Sequence, residues 1–117
     1  MHTVEARWYV KPGCEKKAAA AIRRLVKAVE ANEPGTLTYL VHWNDAGSKP
    51  PPAAGEVVFV EVYKSMKAFE AHLNGPAFQK FLKKSGDLFV SNFDEAAGPF
   101  MLTATLDRIA GFERACR

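Results

Sequence analysis

The chain has 117 residues, 48% of them hydrophobic and 25% charged, with a formal net charge of +3. That length and balance fit one globular domain with a modest core and exclude a disordered chain. The cations are dispersed and no basic block alternates with exposed aromatics, so a nucleic-acid surface is not expected, and no apolar run approaches the roughly 20 residues of a membrane span.

Thr3 to Val10 alternates, with Val4, Ala6, Trp8 and Val10 on one face and Thr3, Glu5, Arg7 and Tyr9 on the other. This is the period of a strand with one apolar face. The start of the chain enters that pattern directly, without the apolar core and cleavage site of a signal peptide. Cys14 and Cys116 are far apart and lack a partner motif, which reads as free thiols in a reducing cytoplasm. After the Lys11-Pro12-Gly13 turn, Cys14 to Ala31 carries an apolar stripe of Ala18, Ile22, Leu25 and Val29 with Lys16, Arg23 and Lys27 opposite, the spacing of an amphipathic helix.

Thr36 to Trp43 reads as a second strand, with Leu37, Tyr39, Val41 and Trp43 on one face and Thr38, Leu40 and His42 on the other. Asn44 to Gly55 is polar and Pro-rich, and suits the tip of a hairpin between antiparallel strands. Glu56 to Leu82 is the unit around which the rest is organised. Val58, Val60 and Val62 alternate with Phe59, Glu61 and Tyr63 in a third strand; Ser65 is placed to cap a helix bearing Met66, Phe69 and Leu73. Gly75 is expected as a left-handed stop and Pro76 as the first residue of another helix, whose face is Phe78, Phe81 and Leu82. Asp87 to Gly98 suits neither period and is expected to be irregular and packed on the core. Pro99 to Leu106 reads as the last strand, and Ile109 and Phe112 are placed to anchor the tail either on the body of the chain or on a partner.

The resulting order is β-α-β-β-α(α)-β over one domain, residues 1–117, which is the ferredoxin-like arrangement of the α+β class: an antiparallel sheet with helices on one face. Trp8, Tyr39, Trp43, Phe59 and Tyr63 are more aromatic surface than one helix layer is expected to cover. An uncovered greasy sheet face predicts a homodimer whose sheets pack together as a barrel.

Glu33-Pro34-Gly35-Thr36-Leu37-Thr38-Tyr39, Glu61-Val62-Tyr63, Ala68-Phe69-Glu70-Ala71-His72-Leu73 and Gly75-Pro76-Ala77-Phe78 stand in an order and spacing that resemble the antibiotic biosynthesis monooxygenase family of dimeric α+β barrels. The similarity runs from Val4 to about Leu82 and resumes at the last strand. It implies one of several activities: cofactor-independent oxygenation of aromatic polyketides or quinols, haem degradation, or isomerase-like chemistry on small oxygenated metabolites. The position that matches the iron-binding histidine of haem-degrading members is Leu82, and Ala77 to Leu106 contains no histidine, which disfavours haem.

Cofactor-free oxygenation requires the substrate to supply the electrons, while the protein excludes water, takes a proton and stabilises an anion. His72 borders the apolar face of its helix and suits proton transfer, or equally a structural bond to the sheet. Glu61 sits among apolar residues and needs a partner; Arg7 across a dimer is one, and structural bonding competes with acid–base work. With Tyr39 they form the expected catalytic set. Trp8, His42, Trp43, Tyr63, Phe69 and Phe78 are the expected lining of a pocket for a small flat substrate, with His42 turned towards the helices. No metal is expected, because His2, His42 and His72 have no ligand spacing. The competing activities are a base-driven isomerase in the same pocket and a dimer that binds a metabolite without turnover.

Overall fold

The computed structural model describes residues 1–90 and 102–114. The elements run β1 (His2–Tyr9), α1 (Glu15–Asn32), β2 (Thr36–Trp43), β3 (Glu56–Tyr63), α2 (Met66–Asn74), α3 (Pro76–Ser85), a single 3-10 turn (Gly86–Leu88) and β4 (Leu102–Leu106). Every strand pair is antiparallel and the sheet order is β2-β3-β1-β4. This is the ferredoxin-like α+β fold that the strand and helix periods predict. Among the described residues no helix is long and apolar enough to cross a membrane.

The core forms where α1 and α3 lie on the sheet. Ala18, Ala21, Ile22, Leu25 and Val29 of α1 are buried, together with Phe78 and Phe81 of α3. Trp8 is their common neighbour, only 3% exposed, with its ring 4.2 Å from Phe59, 5.2 Å from Phe89 and 5.3 Å from Phe81. Each such side chain contributes about 1.5–3 kcal/mol by leaving water. Phe89 is held there by the backbone, for Val90 N donates to Tyr9 O at 2.7 Å and Lys11 N to Leu88 O at 2.9 Å. The expectation of an irregular segment packed on the core therefore holds as far as Val90; the rest of Asp87 to Gly98, and the first residues of the Pro99–Leu106 strand, lie outside the described residues.

The register corrects the assignment of faces. Val4, Ala6 and Trp8 stand opposite Glu61, Phe59 and Val57, and Tyr39 and Val41 stand opposite Glu61 and Phe59. All of these lie under the helices, so Trp8, Tyr39, Phe59 and Tyr63 do share the covered face, and Trp43 is the one aromatic of the set left half exposed. A bulge between Thr36 and Thr38 breaks the β2 alternation, which takes Leu37 out of the Tyr39 row and leaves it exposed. His42 pairs with Val58 on the other face, opposite to expectation; it is exposed and its Nδ1 lies 3.3 Å from Val58 O. That open face is still apolar, through Leu40, Val58, Val60, Val62, Ala104 and Leu106, with Leu40 53% and Leu106 47% exposed.

Two further expectations change. Gly75 has φ −77° and ψ 162°, extended rather than left-handed. Glycine is required there for space, because a Cβ would stand 2.8 Å from Ala71 O. Ile109 and Phe112 do not anchor the tail on the body of the chain, for both are exposed.

Candidate active site

Three turns of chain converge where α1 ends. Glu33 terminates α1, its N–H donating to Val29 O at 2.9 Å. Pro34-Gly35 reverses the chain into β2, and Lys64 N at the end of β3 donates to Gly35 O at 2.8 Å. Ser65 then starts α2 by accepting from Ala68 N at 3.1 Å. Gly35 lets these pieces touch, because a Cβ on it would lie 2.8 Å from the Cβ of Ala68. One helical turn beyond Ala68, His72 points inward, 2% exposed.

The Glu33 carboxylate accepts from His72 Nδ1 at 2.7 Å and from Thr36 Oγ1 at 3.3 Å. Its other oxygen, Oε2, is buried and has no partner among the described residues. On the far side of the ring, His72 Nε2 lies 3.4 Å from the Tyr39 hydroxyl. Burial and the nearby Glu61 and Glu33 carboxyls push the Tyr39 phenol well above its ordinary range, so it stays protonated and donates. The chain is therefore Tyr39 O–H to His72 Nε2, and His72 Nδ1–H to Glu33, which assigns the Nδ1-protonated tautomer to the neutral ring.

Glu61 stands beside this chain, directly across from Tyr39 on the neighbouring strand. It is 5% exposed, and burial raises its carboxyl to about 7, against the opposing pull of the Tyr63 hydroxyl that donates to it. The partner is thus Tyr63 of the same strand, not Arg7. Arg7 is on the open face, where it bonds Glu5 at 2.9 Å and Glu56 at 3.2 Å. Phe69 and Phe78 close the cluster, their rings 5.0 Å from Tyr63 and 5.1 Å from His72.

The structure thus brings together His72, Glu61, Tyr39, Tyr63, Phe69 and Phe78. It places Trp8 in the aromatic core, its indole N–H buried and without a partner among the described residues, and puts Trp43 and His42 at the outer end of β2. Glu33 was not among the expected site residues. Its only sequence signal is its place at the head of the Glu33-Pro34-Gly35-Thr36 stretch. The histidines do not assemble: His2 lies against Phe69, the ring centres 5.0 Å apart and the planes tilted by 32°, and His42 faces away from His72.

A groove of about 530 Å³ runs between α1 and β2, floored by Ile22, Val26, Val41 and Val57. His72 and Glu61 do not line it, but Tyr39 does. Tyr39 therefore belongs both to an apolar groove and to the buried proton chain behind it.

An antiparallel ferredoxin-like sheet with a buried histidine, carboxylate and phenol cluster under its helices defines a small α+β protein with a candidate acid–base site. The chain belongs to the antibiotic biosynthesis monooxygenase family, which it matches over residues 1–84. A Caulobacter crescentus protein assigned to the antibiotic biosynthesis monooxygenases superposes with a TM-score of 0.75 at 22% identity, over 93% of this chain and 90% of that one. A Mycobacterium tuberculosis protein gives 0.74 at 19% identity, over 96% and 98%. One from Pseudomonas aeruginosa gives 0.68 at 23% identity, over 93% and 94%. At these identities the likeness is one of fold. No curated protein matches the chain.

Proposed function

We propose that this protein is a cofactor-independent monooxygenase acting on a small quinol-type aromatic held in the groove between α1 and β2. The observation that carries the reading is the double position of Tyr39, which lines the groove while its hydroxyl meets His72. A substrate hydroxyl next to Tyr39 passes its proton through the phenol to His72 Nε2, and Glu33 stabilises the cation formed on the ring. The electron-rich anion then reacts with oxygen. One oxygen atom enters the ring and the other leaves as water, and the substrate supplies all the electrons. The apolar floor of Ile22, Val26, Val41 and Val57 shields the anion from water on its inner side.

The test is oxygen uptake with a panel of quinols, without added metal or flavin. Tyr39→Phe removes the relay hydroxyl and keeps the ring, so turnover is expected to fall about a hundredfold while the fold survives in circular dichroism, at a cost of about 1–3 kcal/mol for the His72 nitrogen left without a donor. Equal turnover in the variant removes Tyr39 from the mechanism. A second reading is favoured by Glu61: a buried carboxyl that titrates at about 7 suits an isomerase, which moves a proton between carbon atoms without oxygen. Product formation without oxygen uptake distinguishes it. Saturable metabolite binding that raises the melting temperature, with no turnover of any panel member, marks the chain as a binding protein instead.

The assembly in this reading is a homodimer, with the open sheet faces of two copies packed together. Support comes from the exposed Leu40, Val60 and Leu106 on that face, an apolar patch that water does not favour.

A further inference from the structure

The groove that holds Tyr39 has a charge character of its own. Among the described residues Arg23, Lys27 and His42 line it and no carboxylate does. Arg23 and Lys27 are exposed and stand four residues apart on α1, where like charges repel each other. Among the described residues neither takes part in an ion pair. Beneath them the surface is apolar and aromatic, with Tyr39 and Trp43 along one wall. The volume, about 530 Å³, lies within the ~300–1,000 Å³ of small-molecule sites.

We infer that the groove takes a flat aromatic acid, its rings on Tyr39 and Trp43 and its carboxylate between Arg23 and Lys27. The ring faces match the apolar floor. The planar guanidinium of Arg23 presents paired donors to a carboxylate, and Lys27 adds a point charge that the anion relieves of its neighbour's repulsion. An acidic aromatic is thereby selected over a neutral one. The inference deepens the proposed function by naming the substrate class, and rests on that reading only for the statement that the bound ligand reacts.

Calorimetric titration with 2-naphthoate and with its neutral counterpart 2-naphthamide tests it without any turnover. The naphthoate is expected to bind about tenfold more tightly at low salt, with the difference shrinking as salt is added. The double variant Arg23→Gln, Lys27→Gln should lose that preference, and Ala19→Trp, which fills the groove from its outer side, should lose both ligands while its circular dichroism is unchanged. Equal affinity for the two ligands, no binding of either, or a preference that survives the double variant overturns the inference. A preference found in a protein that consumes no oxygen with any quinol leaves the groove assignment standing and removes the oxygenase. Oxygen uptake that is equal for carboxylated and neutral quinols does the reverse.

Discussion

Burial raises the Glu61 carboxyl from 4.5 to about 7, so between those values the folded chain holds a proton that the unfolded chain has released. The native state then binds more protons, and stability falls as pH rises through this window and levels off above it. Glu61→Gln keeps an acceptor for Tyr63 without the ionisation. It should flatten that slope and, at about pH 8, stabilise the fold by up to about 3 kcal/mol, as read by urea unfolding. An unchanged slope would assign the titration elsewhere. His72→Ala strips the Glu33 carboxylate of its closest donor and leaves the Tyr39 hydroxyl unmatched, so a loss of about 3 kcal/mol is expected in thermal or urea unfolding. A variant as stable as the parent would show that the Glu33–His72 bond carries no structural weight. Periodicity could place His72, Glu61, Tyr39 and Tyr63 on particular faces because each lies within a regular element. It could not find Glu33, which stands in a helix-ending turn and meets a partner 39 residues away, a separation that no local pattern encodes.

At the scale of elements, α2 is seated by contacts at its first turn: the Ser65 cap and the approach of Gly35 to Ala68. Gly35→Ala forces two methyl carbons into one space. It should push α2 off β2, cost about 1–3 kcal/mol, and lengthen the Glu33–His72 bond, visible as a shift of the His72 ring signals in NMR spectra. Spectra that superpose on the parent's would mean that the backbone absorbs the methyl elsewhere. The bounds of β2 and β3, and the stripe of α1, were legible because strong turn signals flank them, whereas the bulge between Thr36 and Thr38 leaves no mark in the residue pattern of β2. The conformation of Gly75 was not legible, since a glycine before a proline serves a left-handed turn and a close approach equally well.

Across the whole molecule, element order sufficed for the topology, whereas the covered face was misjudged because aromatic side chains were counted without their register. Pairing settles what counting cannot: Trp8, Tyr39, Phe59 and Tyr63 fall on one side, and Val58, Val60 and Val62 with Leu40 and Leu106 on the other. Val60 lies near the centre of that second side, across from Leu40 and Glu5. Val60→Glu is expected to convert the proposed dimer into a monomer in sedimentation, because it places a second carboxylate across from Glu5 in the contact between the two sheets. A parent chain that sediments as a monomer, or a variant that still dimerises, would refute packing through this face. The two tryptophans, finally, report from opposite surroundings: Trp8 is sealed among phenylalanines, while Trp43 stands half in solvent at the end of β2. The chain accordingly carries two intrinsic fluorophores, one that iodide can quench in the native state and one that it reaches only on unfolding, so an occupant of the groove and a loosening of the interior give separate optical signals.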